Sequence, residues 1–385
     1  MTDNVVVLGA GYAGAGAVVE LQSKLDSDAQ LTWIADVDYH LLLHEVHRVV
    51  RDPNVQSDIV FPVDQIADPS TQFIQATVTG LDVDERVVEL DDADDVEYDY
   101  VVVALGTQTA FYGIPGLEEH ALTLKSLNDA LEIHETVTEA SKDATRSDPA
   151  QVVVGGAGLS GIQVAGEVAE FRDNHRAPID VHLVEALDEI FPSGNEKARQ
   201  YLRELLEEAG IQIHTGDPIT EADAEQITFD EGKPLEYDVL VWTGGITGRD
   251  ALADAELENE HNRVTTEANF QTSDERVFAL GDAALIDQGD QPAPPTSQAA
   301  WQAAKVVGDN VVREMENRPL KTWEHNDKGT AISVGHDAVA TGVDVLPVVD
   351  TFDGFPAKQL KKLTGAIWIA NVTSWNEARK SWKSL

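Results

Sequence analysis

Cysteine is absent from the 385 residues of this chain, which excludes disulfides, thiolate metal sites, iron–sulfur clusters and thiol redox relays. Long apolar runs are also absent, since none approaches the roughly 20 residues that a membrane-spanning helix needs. The first four residues lead directly into an apolar segment, which predicts that no signal peptide is present. Together these absences predict a cytoplasmic body.

Positive charge is scarce, because 27 Lys and Arg residues stand against 69 Asp and Glu residues, giving a net charge of −42. This imbalance argues against a nucleic-acid partner, whose phosphates would be repelled. A dense carboxylate surface stays hydrated in concentrated salt, and we therefore expect a halophilic protein. The length suits two or three domains.

A glycine motif follows the first apolar segment. Val5 to Leu8 is typical of a buried strand, and Gly9, Gly11 and Gly14 give the spacing G-x-G-x-x-G before a helical pattern. The first glycine permits a tight turn, the second lets the backbone approach a pyrophosphate, and the third lets helix and strand pack closely. The pyrophosphate would lie on the free N–H groups of the helix start. This stretch predicts a dinucleotide site.

The next strand should end in an acid that binds the ribose hydroxyls. Residues 31–34 form that strand, and the spacing places Ala35 or Asp36 at its end, so the acid is displaced by one residue. His40, His44 and His47 follow at i, i+4 and i+7, which would face one way on a helix. A metal site is one interpretation, and a helix packed beside the cofactor is the preferred one.

The opening pattern recurs 147 residues later. Gly156, Gly158 and Gly161 repeat the glycine spacing, and the following strand ends at Glu185. A Tyr-Asp strand ending in glycine also occurs twice, over residues 98–106 and 237–245. Two copies of both patterns in matching order predict an α/β protein with two Rossmann-like, doubly wound dinucleotide-binding domains. Between the copies, residues 73–90 alternate apolar and polar, as antiparallel strands would.

A further buried strand ends at Gly281-Asp282, where we expect the acid to contact a cofactor.

The last thirty residues differ in charge, with a net +5 against −47 for the remainder. They carry Trp368, Trp375 and Trp382 at intervals of seven and a capping-box signature at residues 374–377. From that signature, one helix face is predicted to carry Trp375, Ala378, Trp382 and Leu385, with Arg379, Lys380 and Lys383 elsewhere. This pattern favours a membrane surface, and the alternative is docking on the protein's own acidic surface or on a partner subunit.

Together these motifs resemble the two-dinucleotide-binding-domain flavoprotein reductases, and among them the type II NADH dehydrogenases, over about residues 1–325. The resemblance implies that the first glycine motif binds FAD and the second binds NADH. The implied FAD residues are Gly9, Gly11, Tyr12, Ala13, Gly14, Asp36, Ala104, Gly106, Thr107, Gly281 and Asp282. The implied NADH residues are Gly156, Gly158, Leu159, Ser160, Gly161, Glu185, Gly244 and Gly245.

The resemblance also implies a domain order in which the second domain is inserted in the first. The FAD-binding domain would comprise residues 1–118 and 265–325, and the NADH-binding domain residues 119–264. Residues 326–385 would form a small α+β region with the basic, membrane-attaching helix. No metal is implied, and a homodimer is left open.

The activity implied by the resemblance is hydride transfer from NADH to flavin and then transfer of two electrons to a membrane quinone, without proton pumping, at the inner face of the cell membrane. Glu185 would favour NADH over NADPH, because a carboxylate repels a 2′-phosphate. Gln298 and Gln302 match the family's quinone-site element, and Glu167 is our hypothesis for proton uptake, its alternative being a residue that orders the NADH domain. Gln163 stands where many members carry Glu. Two rival functions are reduction of a soluble electron carrier and a low-turnover flavin redox sensor.

Overall fold

The computed structural model describes residues 3–91, 93–343, 351–382 and 385. Within these residues the strands are β1 (Asp3–Leu8), β2 (Ala29–Ala35), β3 (Tyr39–Leu41), β4 (Val60–Pro62), β5 (Gln72–Gln75), β6 (Thr77–Asp82), β7 (Val87–Asp91), β8 (Val96–Glu97), β9 (Tyr100–Val103), β10 (Thr107–Thr109), β11 (Ala150–Gly155), β12 (Ile179–Glu185), β13 (Gln212–Thr215), β14 (Ile219–Ala222), β15 (Gln226–Phe229), β16 (Leu235–Glu236), β17 (Val239–Trp242), β18 (Ile246–Gly248), β19 (Asn259–Glu260), β20 (Arg263–Thr266), β21 (Val277–Ala279), β22 (Ala284–Ile286), β23 (Thr330–Val334), β24 (Asp337–Thr341) and β25 (Thr351–Asp353). The α-helices are α1 (Tyr12–Gln22), α2 (Arg48–Arg51), α3 (Gln56–Ile59), α4 (Leu117–His120), α5 (Leu127–Asp143), α6 (Leu159–His175), α7 (Glu196–Glu208), α8 (Ser297–Met315), α9 (Gly354–Val372) and α10 (Trp375–Ser381).

The first sheet is parallel, with the strand order β21-β9-β1-β2-β5. Its central strand β1 is buried on both faces, which explains the unbroken apolar run at its end. The prediction of antiparallel strands over residues 73–90 is confirmed for β6 and β7 and wrong for β5, which pairs in parallel with β2. Alternation of apolar residues reports that a strand is half-buried and does not report the direction of its neighbour.

The second sheet repeats the first, with the order β13-β12-β11-β17, again parallel. The repeat extends to single hydrogen bonds. The Gly9 N–H donates to the Ile34 carbonyl at 2.7 Å, and the Gly156 N–H donates to the Val184 carbonyl at 2.8 Å. Two doubly wound units are therefore present, as the sequence predicts.

The repeated Tyr-Asp pair has a structural role in both sheets. The Asp99 carboxylate accepts from the Asn4 N–H at 2.8 Å, and the Asp99 N–H donates to the Asn4 carbonyl at 2.9 Å. In the second copy Asp238 makes the same two bonds with Gln151, at 2.7 and 2.8 Å. Each acid thus satisfies backbone groups at the start of the neighbouring central strand.

The chain leaves the first sheet after β9, builds the second sheet and returns with β21, which pairs with β9. This path agrees with an inserted second domain. The domain boundaries after residues 118, 264 and 325 stay a prediction.

The C-terminal region consists of an antiparallel sheet, β23-β24-β25, with α9 packed beside it and α10 packed on α9. Trp368 is only 1% exposed, whereas Trp375 is 72% exposed, so the tryptophans at intervals of seven do not share one surface. The predicted apolar face of the last helix needs correction as well, because Ala378 is buried and the Leu385 side chain lies against Gly365. Helix α10 folds back on α9 and turns its small residue inward. Lys383 lies outside the described residues.

Among the described residues, no helix is both long and apolar enough to cross a membrane.

The C-terminal sheet contacts helix α6 of the second unit. A methyl group on Gly166 would lie 2.5 Å from the Gly335 nitrogen and 2.8 Å from the Val334 Cα. Only glycine at this position lets α6 approach the β23–β24 turn so closely.

We predict that Gly166→Ala lowers the free energy of unfolding by about 1–3 kcal/mol, because the backbone it would strike cannot move aside as a side chain can. The gain in helix propensity, about 1 kcal/mol, is too small to compensate. Urea unfolding at constant salt measures the change.

Gly365→Ala is the matched control within α9, since its nearest neighbour is the flexible end of Leu385 at 3.3 Å. We expect it to be neutral or stabilising by up to about 1 kcal/mol. Equal effects of the two variants would contradict the assigned contact.

Candidate active site

Both glycine loops form an open cradle at the start of a helix. Gly9 and Gly156 have positive φ angles of 102° and 91°, which favour glycine. A methyl group on Gly14 would lie 1.9 Å from the Gly9 carbonyl oxygen, and one on Gly161 would lie 1.8 Å from that of Gly156.

The middle glycines, Gly11 and Gly158, behave differently. A methyl group on either would meet no atom within 4 Å. They are the N-caps of α1 and α6, and neither helix start is capped by a side chain. Free N–H groups beside open space suit the pyrophosphate of a dinucleotide, so both loops fit the groups predicted for them.

The remaining first-copy residues lie around the first cradle. The Ala104 carbonyl packs against Gly9, and Gly106 has a φ of 66° with open space above it. Thr107 is buried at the start of β10. Gly281 lies so close to Ala13 that a methyl group on it would be 2.8 Å from the Ala13 Cβ. The Gly281-Asp282 strand end therefore lies directly against the first glycine loop.

Asp282 follows Gly281, and burial raises the pKa of its carboxyl, while Lys125 and Arg263 oppose that shift. The Arg263 guanidinium donates to the Asp282 carbonyl at 2.8 Å. At the end of β2, Ala35 is buried and Asp36 is exposed. The role of Asp36 as the ribose acid stays a prediction.

The second copy has its acid in the expected place. The Glu185 carboxylate accepts from the Ala157 N–H at 2.8 Å and from the Leu187 N–H at 3.0 Å. This position at the end of β12, beside the glycine loop, is the one that ribose recognition requires.

The other predicted residues of the second copy lie near this loop. Gly244 abuts Gly156, and the ring of Tyr112 covers Gly245 so closely that a side chain there would overlap it. Leu159 and Ser160 form the first turn of α6.

A buried polar cluster joins α6 to the C-terminal region. We define it by its six members, Glu45, His47, Gln163, Glu167, Ser333 and Lys361. Glu167 is fully buried, and neither of its carboxylate oxygens accepts a hydrogen bond. Burial raises its pKa to about 7, although the Arg51 guanidinium, 3.3 Å from Oε2, acts in the opposite direction. The carboxyl can therefore gain or lose a proton near neutral pH.

Lys361 connects this cluster to α9. Its ammonium group lies 3.3 Å from the Glu45 carboxylate and donates to the Ser333 hydroxyl at 2.7 Å. Burial lowers the pKa of Lys361, and the neighbouring Glu45 and Glu167 raise it. Sequence reasoning counted this lysine only among the basic residues of the C-terminus. A signal was available, because Lys361 shares a helical stripe with Ala357, Gly365 and Trp368, all of which are buried.

Gln163 is satisfied as a neutral amide. Its oxygen accepts from Lys361 at 3.1 Å and Ser333 at 3.2 Å, and its NH₂ group donates to the Leu159 carbonyl at 3.2 Å. A carboxylate here would add a third buried carboxyl group beside Glu45 and Glu167. The departure from the expected Glu is therefore accommodated without an unpaired group.

Gln298 and Gln302 lie one turn apart on α8 and bind the backbone of residues 326–329. Gln298 accepts from the Lys328 N–H at 2.8 Å, and Gln302 donates to the Asn326 carbonyl at 2.8 Å. They thereby hold the segment that leads into β23. Neither side chain hydrogen-bonds Glu167.

The three histidines do not share a helix, so that interpretation is wrong. His40 lies in β3, His44 in a 3₁₀ turn at Leu43–Glu45, and His47 before α2. The chain changes direction at each of these short elements. Two of the histidines still contact the same residue beside the first cradle, because the Tyr12 ring packs edge-to-face with His40 and its hydroxyl hydrogen-bonds His44. Within the described ranges, no group of three His, Cys, Asp or Glu side chains is arranged to hold a metal ion.

Comparison with known proteins agrees with this geometry. The profile of the pyridine nucleotide-disulphide oxidoreductase family matches residues 3–304. A protein named type II NADH:quinone oxidoreductase from Staphylococcus saprophyticus is 28% identical over 357 residues, covering 87% of this chain and 88% of that protein.

Two solved structures share the fold. The structure of NDH2 from Plasmodium falciparum in complex with NADH has a TM-score of 0.83 at 16% identity, covering 100% of this chain and 97% of that one. The sulfide:quinone oxidoreductase from Aquifex aeolicus has a TM-score of 0.80 at 19% identity, covering 97% of this chain and 92% of that one. At these identities the likeness concerns the fold.

We predict that Glu167→Gln becomes progressively more stable than the wild type as the pH rises from 5 to 8. The pKa of Glu167 is raised from its ordinary value of about 4.5 to about 7 in the folded protein. Protonation of this carboxyl therefore contributes its full amount to the free energy of unfolding below pH 4.5, and the contribution is lost as the pH rises through 7. The variant, which has no such proton to lose, should gain up to about 3 kcal/mol on the wild type across this range. Unfolding at several pH values and constant salt measures the difference, and a pH-independent difference would contradict the assignment.

Proposed function

Because the chain belongs to the pyridine nucleotide-disulphide oxidoreductase family, we propose that it transfers hydride from NADH to FAD and then two electrons to a membrane quinone. The observation that supports the quinone assignment is the fully buried Glu167 carboxyl, whose pKa burial raises to about 7, where α6 meets the C-terminal region. The similarity to type II NADH:quinone oxidoreductases over most of both chains supports the same activity.

Each cradle then has its own dinucleotide. Gly9, Gly11 and Gly14 would hold the FAD pyrophosphate, and Asp282 would lie near its ribityl chain. FAD, when bound, supplies the relay that accepts a hydride and releases two electrons. Gly156, Gly158 and Gly161 would hold NADH.

Glu185 would accept hydrogen bonds from the adenosine ribose of NADH. Its charge disfavours the 2′-phosphate of NADPH. The two backbone N–H groups that it already binds orient the carboxylate beside the loop.

Proton balance gives Glu167 its task. Conversion of NADH, one proton and a quinone to NAD⁺ and a quinol consumes a proton from solvent. A carboxyl whose pKa is about 7 can hold that proton at neutral pH and pass it on. Lys361 would supply a positive charge near the Glu167 carboxyl. Gln298 and Gln302 would shape the quinone entrance, because their hydrogen bonds hold residues 326–329 in place. The transfer proceeds without proton pumping, as the family resemblance implies.

The lack of cysteine separates this chain from members of the family whose chemistry requires a thiol or disulfide. The shared fold with a sulfide:quinone oxidoreductase therefore does not extend to that reaction. Two rival functions are reduction of a soluble electron carrier and redox sensing with negligible turnover. Both would use the same two dinucleotide loops and would differ from the proposed function in where the electrons go.

We further propose that the helix pair α9 and α10 attaches the enzyme to the inner face of the cell membrane. Phe355 and Trp375 are each 72% exposed on α9 and α10, with Arg379 and Lys380 exposed beside the latter. Such side chains suit the lipid interface. The strongly acidic remainder keeps the body soluble in high salt, in keeping with a halophilic, cytoplasmic enzyme that is peripheral to the membrane.

The proposal is tested by NADH oxidation in high salt, with and without a short-chain quinone, read beside the flavin absorption spectrum. We expect bound flavin and quinone-dependent turnover. Turnover only with a soluble carrier would favour the first rival, and flavin without turnover would favour the sensor.

We predict that Glu167→Gln slows quinone reduction and removes the titration near pH 7 from its rate profile, while flavin reduction by NADH is retained. The matched control is Glu170→Gln on the same helix. It also pairs with Arg51, at 2.8 Å, yet belongs outside the polar cluster. Stopped-flow measurement of the two half-reactions separates the effects. Unchanged quinone turnover across pH in Glu167→Gln would remove its proposed role.

We predict that the double variant Phe355→Ala, Trp375→Ala binds lipid vesicles at least about tenfold more weakly than the wild type. Each substitution removes an aromatic side chain that would otherwise enter the lipid interface. Vesicle co-sedimentation at constant salt measures it. Leu187→Ala, an exposed apolar residue of the second unit, is the control and should bind as the wild type does. Equal binding by all three proteins would overturn the proposed attachment surface.

A further inference from the structure

A buried hydrogen-bond chain leads from the C-terminal helix to the first glycine loop. The Trp368 indole N–H lies 2.8 Å from His40 Nε2, and His40 Nδ1 lies 2.8 Å from the Ala10 carbonyl oxygen. His40 and Trp368 are 0% and 1% exposed. Ala10 is the residue between the first two glycines of the loop.

Only one form of His40 satisfies both neighbours. A carbonyl oxygen only accepts, so Nδ1 carries the proton, and an indole N–H only donates, so Nε2 carries the lone pair. Burial lowers the pKa of His40 to about 4, so the neutral ring persists at physiological pH. The direction of the chain is therefore fixed, from indole to imidazole to carbonyl.

The position of the Ala10 carbonyl controls the next N–H. In a planar trans peptide the C=O of Ala10 and the N–H of Gly11 point in opposite directions. A carbonyl held toward His40 therefore aims the Gly11 N–H away from His40. Gly11 is the glycine with open space above it, at the start of α1.

Aromatic packing keeps the indole in place. The Trp368 ring centroid lies 4.7 Å from that of Tyr12 and 5.1 Å from that of Trp301. Gly16 of α1 also touches the indole, since a methyl group there would lie 3.4 Å from it. Trp368 thus contacts helix α1 directly and reaches the loop backbone through His40.

The second copy provides an internal comparison. Ala157 corresponds to Ala10 at the repeat offset, and its carbonyl accepts from the Phe191 N–H at 2.8 Å. Phe191 belongs to the same unit, so this loop is oriented by its own backbone. In the first loop the Ala10 carbonyl is instead held by the His40 side chain, which in turn accepts a hydrogen bond from Trp368 of α9.

We propose that Trp368 is a positioning residue for FAD: through His40 it orients the Ala10–Gly11 peptide toward the pyrophosphate, so that seating of α9 and binding of FAD strengthen each other. The coupling is reciprocal, because any contact that favours FAD binding is favoured by it. This inference rests on the assignment of FAD to the first loop.

The test compares Trp368→Phe with Trp375→Phe, the same change at a buried and an exposed position. After removal of flavin, titration with FAD followed by fluorescence gives the dissociation constant, and titration with NADH gives that of the second loop. We expect Trp368→Phe to weaken FAD binding about tenfold, the effect of one lost buried hydrogen bond. NADH binding should be unchanged, and Trp375→Phe should match the wild type in both.

A second pair of variants keeps the test decisive if the tryptophan change perturbs folding. His40→Gln retains a donor for Ala10 and an acceptor for Trp368, whereas His40→Leu retains neither. We expect the glutamine variant to bind FAD more tightly than the leucine variant. Hydrogen exchange over residues 354–372 supplies a readout without turnover, and added FAD should slow it in the wild type more than in Trp368→Phe.

Three results would overturn the inference. One is an unchanged FAD dissociation constant in Trp368→Phe, and another is equal FAD binding by the two His40 variants. The third is an equal loss of NADH binding in Trp368→Phe, which would indicate general loosening. A wild-type protein that binds NADH and no FAD would overturn the proposed function itself, and this inference with it.

Discussion

Each glycine loop must keep its backbone N–H groups open to an anion while the following helix packs directly on the strand before it. Gly14 and Gly161 meet the second requirement with contacts that exclude any side chain, and Gly11 and Gly158 meet the first by leaving the space above them empty. A helix start without a side-chain cap is an unfavourable arrangement that a bound phosphate corrects. The strand-end residues, the acids and the C-terminal helix are all arranged around these two openings.

The polar cluster is the second organising feature. Burying Glu45, Glu167 and Lys361 carries a desolvation penalty that only close pairing offsets. Lys361 reaches Glu45, and Ser333 and Gln163 satisfy its remaining protons, but the Glu167 oxygens accept no hydrogen bond. Glu167 also lies 3.3 Å from the Arg51 guanidinium, yet burial raises its pKa to about 7, and this combination is the basis of the proton-uptake role proposed for it.

The parts of this protein that follow local rules could be predicted from the sequence. Glycine spacing, the repeat at Gly156 and the strand ending at Glu185 depend on backbone geometry and neighbouring residues. Ser374, the predicted cap of α10, likewise accepts from the Glu377 N–H.

Contacts between distant segments could not be predicted in this way. Lys361 pairs with Glu45 across more than 300 residues, and Trp368 turns inward although its spacing matched the exposed Trp375. The direction of β5 was missed for a related reason, since pairing direction is set by connections between strands and not by alternation within one. The ribose role of Asp36 depends on a bound cofactor, and the domain boundaries depend on how the domains separate. Neither leaves a local pattern in the sequence.

The different anchors of Ala10 and Ala157 bear on the order in which the protein matures during synthesis. The supports of the second loop, Phe191, Glu185 and Thr243, all lie within the second unit. The first loop begins at residue 9, and the hydrogen bond from Trp368 to His40, which holds the Ala10 carbonyl, cannot form until residue 368 has emerged from the ribosome. A nascent chain that has passed Thr243 would thus carry these supports of the second loop while the first loop still lacks its contact with α9, so under the proposed assignment the flavin loop is the later of the two to be completed.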